Sequence, residues 1–294
     1  MSTRSATTRP ATPAPVAGRP MSLRTVRAFF LATFAFSWTL GVLMVVFMDQ
    51  VEAVFGPMGY TNPVFILVVW GPGLVGLWLV VRHHGLRGLR PFLARLAQWR
   101  MSRAWWLVLL VGMPAVFYAG AAVKGTLDDG FPFSPWYAVV PALLPALMIG
   151  PVEELGWRGV ALPVLQRRFA PLWAALIVGV VAAVWHTPAF LMSGTKQSAW
   201  SFGPFFLGVV AISVILTAMF NAARGSLLVA VLFHAQMNGP AWPDAQPWDM
   251  YAFVAVAVLV LLVNRRSMLT RGSGATDVLL GAPEHEPVRA EAAG

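Results

Sequence analysis

Residues 136–165 read WYAVVPALLPALMIGPVEELGWRGVALPVL. From Trp136 to Val152 there is no charge at all, and the whole 30-residue stretch exceeds the ~20 residues a helix needs to cross a bilayer. Glu153, Glu154 and Arg158 then arrive inside a segment that is otherwise apolar. At bilayer depth a carboxylate or guanidinium persists only where it is paired, neutralised or used. The rest of the chain is therefore read for what it brings to these three side chains.

Composition sets the class. The chain has 294 residues, 58% of them hydrophobic and only 11% charged, which leaves too little polar surface for a water-soluble protein of this size. A formal net charge of +9 would suit a nucleic-acid partner, but the arginines sit in short loops between apolar runs. That placement orients a membrane protein, so no nucleic-acid partner is expected. Cysteine is absent, which removes disulfides, thiolate metal sites and a cysteine nucleophile.

Eight hydrophobic stretches follow one another near 28–48, 63–81, 104–123, 136–165, 170–190, 202–223, 225–241 and 248–263. The fold class expected is all-α, a polytopic membrane protein of about eight transmembrane helices in a cell membrane. Sorting the loops tests the topology. One side collects every arginine except Arg158, while the other has Lys124 and Lys196 with Asp49, Glu52, Asp128, Asp129, Asp244 and Asp249. By the positive-inside rule both termini are then cytoplasmic. The domain reading is a disordered basic tail over 1–22, a transmembrane domain over 23–266 with its catalytic core at about 136–241, and a disordered tail over 267–294. Between the second and third spans, residues 85–100 place Leu86, Leu89, Phe92, Leu93 and Leu96 at helical spacing among arginines, which predicts an amphipathic helix lying on anionic lipid. His83, His84 and His285 fall in polar sequence and are read as solvated.

Two histidines remain inside apolar spans. His186 lies in AAVWHTPAF and His234 in VLFHAQMNG, with Asn238 four residues after His234. Residues at i and i+4 share a helical face, so His234 pairs with Asn238 and Glu154 with Arg158. Glu153 lies about 100° around the helix from Glu154 and about 140° from Arg158. Glu154 and Arg158 are thus expected to support each other as an ion pair. Glu153 is left without a local counter-charge, and desolvation makes it the stronger base and the reactive residue. Pro141, Pro145, Pro151, Gly150, Gly156 and Gly159 interrupt the same span, which predicts a cavity beside it.

No Ser-centred elbow, Gly-rich phosphate loop or HExxH pattern is present. A carboxylate base with imidazole and amide donors suits attack of water on a carbonyl, with donors holding the oxyanion that forms. Glu153, His186 and His234 would alternatively supply three ligands to Zn²⁺ with an open position. The residues permit both chemistries.

The segments EELGWRG (153–159), WHTPAF (185–190) and FHAQMN (233–238) resemble the three motifs of the CAAX protease and bacteriocin-processing family of intramembrane proteases. That family's pattern is Glu-Glu-x-x-x-Arg, then Phe-x-x-x-His, then His-x-x-x-Asn or Asp, on separate membrane helices. Glu153, Glu154, Arg158, His186, His234 and Asn238 match it, whereas Ala182 stands where the pattern has Phe. The resemblance implies that Glu153 and His186 activate water, that His234 and Asn238 form the oxyanion site, and that Glu154 and Arg158 support them. It implies an endopeptidase acting on a peptide or protein at the membrane. The preferred mechanism requires no cofactor, with Zn²⁺ on Glu153, His186 and His234 as the alternative. The competing readings are a non-catalytic member with an immunity or scaffold role, and a proton-coupled carrier.

Overall fold

The computed structural model describes residues 19–281, which are predominantly helical and contain no β-strand among them. Six helices are long and apolar enough to cross a membrane: α1 Leu23–Val46, α2 Pro63–His84, α3 Arg103–Lys124, α4 Trp136–Gln166, α5 Pro171–Leu191 and α6 Phe202–Ala222. Two shorter apolar helices follow, α7 Leu227–Met237 and α8 Trp248–Val263. Large apolar side chains on the outer surface, such as Leu31 (73% exposed), Leu144 (62%) and Val263 (75%), suit hydrocarbon and not water.

The seventh stretch is shorter than the 225–241 expected. Asn238 caps α7, and Gly239-Pro240 follows, where proline cannot donate to the helix and disfavours helical backbone before it. The 11 residues of α7 rise roughly 16 Å, about half of a ~30 Å hydrocarbon layer. Its end therefore stops short and faces a cavity instead of the far surface.

α4 is a composite helix. Pro151 lacks an N–H, and the regular helix Val139–Met148 gives way to a 3₁₀ turn at Gly150–Glu153. A π turn then occupies Trp157–Ala161, a departure that in helices marks functional sites. In that turn the Leu162 N–H bonds to Trp157 O, one residue further back than in an α-helix, and Pro163 has no N–H to offer. The carbonyls of Arg158 and Gly159 would be left unsatisfied, but Arg95 donates to both, at 3.3 and 2.9 Å.

The segment around Arg95 departs from expectation for the same reason. Residues 86–97 form a 3₁₀ turn, a short helix and a second 3₁₀ turn, with Phe92 and Arg95 buried in the bundle. It is a plug and not an amphipathic helix spread on lipid. His84, read as solvated, is buried at its start.

The C-terminal stretch also differs from its reading. Arg265–Leu269 is helical, and Val278 and Leu279 are buried in the core cluster of α1, α2, α4 and α5. Arg95 donates to Val278 O, Arg167 to Thr276 O and Gln166 to Ala275 O. The segment 267–281 is thus packed, not disordered, because its carbonyls answer buried polar side chains of the bundle. At the other end Met21 is buried and its carbonyl accepts from Arg167. The remaining tail residues, 1–18 and 282–294, lie outside the described residues.

The helices pack so that α4 is enclosed on two sides. α5 lies on α6, α6 on α8 and α8 on α3, while α1 lies on α2. α2 packs behind the 3₁₀ and α turns of α4, and α7 packs against them from another side. The α2 contact depends on glycine: a Cβ on Gly76 would come 2.8 Å from Gly156 Cα, closer than packed carbons allow. Small residues thus bring two backbones together directly behind the carboxylates.

Candidate active site

Glu153, Glu154 and Arg158 are all buried, with 3%, 2% and 5% of their surface exposed. Arg158 Nη1 lies 3.2 Å from Glu154 Oε2, the one-turn pairing within α4. Its Nη2 donates to Ser213 Oγ on α6 at 3.2 Å, and that hydroxyl donates onward to Ala175 O at 2.8 Å. Ser213 was not singled out in the sequence, where it is a lone hydroxyl in an apolar run. Glu154 has a second partner on α7, since His234 Nδ1 is 2.7 Å from its Oε1.

Glu153 is held differently. Its neighbour is the indole of Trp157, whose Nε1 donates to Oε2 at 3.3 Å. Trp157 is one helical turn away and fully buried, wedged edge-on against Phe29 and Trp185. A neutral donor orients the carboxylate without cancelling its charge. The sequence reading missed Trp157 because an indole in an apolar run reads as packing.

His186 caps the regular part of α5, Pro171–Trp185, before the helix tightens to 3₁₀ over Thr187–Leu191. Its Nδ1 lies 2.8 Å from Ala182 O. A carbonyl can only accept, so Nδ1 carries the hydrogen and Nε2 of the neutral ring presents a lone pair. The ring stands edge-on between Trp185 and Phe205, at centroid distances of 4.8 and 5.2 Å. At Ala182, where the motif has Phe, the backbone carbonyl makes the contact with His186.

His234 and Asn238 meet over Gly150. A Cβ built on Gly150 would collide with Asn238 Nδ2 and lie 2.9 Å from His234 Nε2. The two nitrogens therefore lie side by side against the 3₁₀ turn that carries Glu153 three residues later. Only a residue without a side chain lets Asn238 pack so close to that turn.

All six side chains line a single cavity of about 660 Å³, large enough for an extended peptide segment. At its mouth Tyr60 is partly exposed, with 37% of its surface open. Desolvation of the rest of the side chain, and secondarily the Glu153 charge, push its phenol up to about 12, so it keeps its proton. Glu153, His186 and His234 share the cavity without forming a metal cage. Among the described residues no three His, Cys, Asp or Glu side chains are gathered closely enough to hold a metal ion.

Residues 135–239 match the family model described as type II CAAX prenyl endopeptidase Rce1-like. The chain is also 30% identical over 138 residues to CAAX prenyl protease 2 of Methanococcus maripaludis, across 45% of this chain and 50% of that protein. It thus spans about half the length of the relative it matches. Every residue of the site lies inside the matched segment, from the composite helix α4 to the cap of α7. Over this core the chain is similar to the CAAX protease, or Rce1-like, family of membrane proteins.

Proposed function

We propose that the chain is an intramembrane endopeptidase in which Glu153 activates a water molecule for attack on a peptide carbonyl. The observation that carries this reading is the side-by-side placement of His234 Nε2 and Asn238 Nδ2 over Gly150, beside a buried carboxylate whose side-chain partner is an indole N–H. Two donor nitrogens side by side, next to a base, are what acyl transfer to water needs.

The steps follow from the side chains. Water sits between Glu153 and the Nε2 lone pair of His186. Glu153 takes one proton as the water oxygen bonds to the carbonyl carbon, and the carbonyl oxygen becomes an oxyanion. Asn238 Nδ2–H and His234 Nε2–H hold that oxygen. Glu153 then passes its proton to the departing amine as the C–N bond breaks. For His234 to donate through Nε2 while Nδ1 donates to Glu154, its ring must be an imidazolium. Charge balance favours that state: two carboxylates, Arg158 and a protonated His234 make a neutral buried cluster.

A peptide or protein segment at the membrane is the substrate, and a cell membrane with both termini cytoplasmic is the setting. The test is purified protein in nanodiscs with a peptide library, read by mass spectrometry against Glu153→Gln. Cleavage by the wild type alone supports the reading; ion flux without cleavage would favour a carrier instead.

A further inference from the structure

The cavity has one open end and one closed end. Its mouth is formed by the exposed Tyr60, Lys196 and Asp244 and the half-buried Trp200, on the loops after the helix Met48–Phe55, after α5 and after α7. Its floor is Trp157, Arg158 and Ser213. Beneath the floor Phe92 presses on Gly159, whose added Cβ would come 2.7 Å from the ring, and Arg95 fastens the π turn to Gly225 and Val278. The end below Arg158 is therefore filled by the 86–97 plug and the 270–279 segment.

The two ends carry opposite charge patterns. Every described arginine other than Arg158 lies at the closed end, in the loops 82–103, 167–168 and 224 and in the flanking segments 19–27 and 265–271. The open end has Lys124 and Lys196 against Asp49, Glu52, Asp128, Asp129, Asp244 and Asp249, and Lys124 is itself paired with Asp244 at 2.7 Å. Arginine in short loops marks the side from which a membrane protein is not translocated. The closed end is then cytoplasmic, and the cavity opens on the other side.

We propose that the site takes its substrate from the non-cytoplasmic side of the membrane, so that the substrate class is an exported or membrane-inserted polypeptide and not a cytosolic protein. The substrate part of this proposal rests on the peptidase reading above; the direction of opening does not.

The native chain has no cysteine, so single-cysteine variants report sidedness without further changes. Ala199→Cys lies exposed at the mouth and Ser267→Cys lies exposed at the opposite end, and neither removes a charge or a site residue. Intact bacterial cells expressing each variant are treated with a membrane-impermeant maleimide, before and after permeabilisation. Ala199→Cys is expected to label in intact cells and Ser267→Cys only after permeabilisation; the reverse pattern overturns the proposal. A bulky maleimide on Ala199→Cys, added outside intact cells, is expected to abolish cleavage of a co-expressed membrane-inserted substrate candidate. Undiminished cleavage would overturn entry through this mouth. If no variant and no wild type cleaves any peptide, the peptidase reading fails and takes the substrate class with it, while the labelling still decides which side the cavity opens on.

Discussion

His234 turns Nδ1 to Glu154 Oε1 at 2.7 Å, and its other nitrogen faces Gly150. One carboxylate thereby fixes an imidazole that comes from a helix 80 residues away in sequence, and holds Arg158 at the same time. In the proposed mechanism Glu154 positions its neighbours, and Glu153, whose side-chain partner is the Trp157 indole, is the carboxylate that reacts. The pair share a composition and differ in partners, which is how two adjacent glutamates take different roles.

Glu153→Gln is expected to abolish hydrolysis while leaving the fold intact. Glutamine keeps an oxygen to accept from Trp157 Nε1 at 3.3 Å, so packing is preserved, but it takes no proton from water. The loss should reach or exceed the ~10²–10⁴-fold attributed to general-base catalysis. Turnover measured with purified protein, beside an unchanged melting temperature, is the check. Turnover retained in Glu153→Gln would shift the base to Glu154.

Arg158→Ala should behave in another way, because it strips a buried carboxylate of its charge partner and Ser213 of a donor. Breaking one side of a buried pair costs about 3–5 kcal/mol in comparable cases. Yield and thermal stability in detergent are expected to fall together with activity. A stable but inactive Arg158→Ala would instead make Arg158 a contact for substrate.

What the sequence made legible was local. Charges in an apolar run located the candidate site, and one-turn spacing paired Glu154 with Arg158, because a helix fixes its own neighbours. The relations that close the site were not legible, because they join residues far apart in the chain. Arg95 reaches the carbonyls of Arg158, Gly225 and Val278, and no periodicity in 85–100 reveals that its guanidinium enters the bundle. The same gap hid the packing of 267–281, whose composition is polar but whose backbone carbonyls serve buried donors. The early end of α7 was written in Gly239-Pro240, yet the apolar residues on both sides masked it.

Asn238→Ala tests the oxyanion assignment and the metal alternative together. Loss of one donor to a developing oxyanion should lower kcat by roughly 10²–10³ with little change in KM. Exhaustive chelation of the purified enzyme is expected to leave activity unchanged, given that Glu153, His186 and His234 are not gathered as a cage. Stoichiometric zinc that leaves together with activity would defeat the metal-free mechanism and place Asn238 outside the reacting centre.

Gly150→Ala separates chemistry from stability most cleanly. Gly150 sits in a 3₁₀ turn at an ordinary right-handed backbone conformation, so alanine is no strain on the chain there. On propensity alone the change should stabilise the helix by up to about 1 kcal/mol. The added methyl, however, would occupy the space that Asn238 Nδ2 takes beside His234 Nε2. Asn238 lies at the end of α7 and its amide can rotate away, so the clash is relieved by losing the donor and not by unfolding. Activity should fall by about the ~10²–10³-fold expected for a missing oxyanion donor, and combining Gly150→Ala with Asn238→Ala should add little further loss. A melting curve and a kcat measurement on the two single variants and the double variant decide it. Full activity in Gly150→Ala would mean that the oxygen of the substrate is held elsewhere, and that the meeting of His234 and Asn238 over this glycine is packing alone.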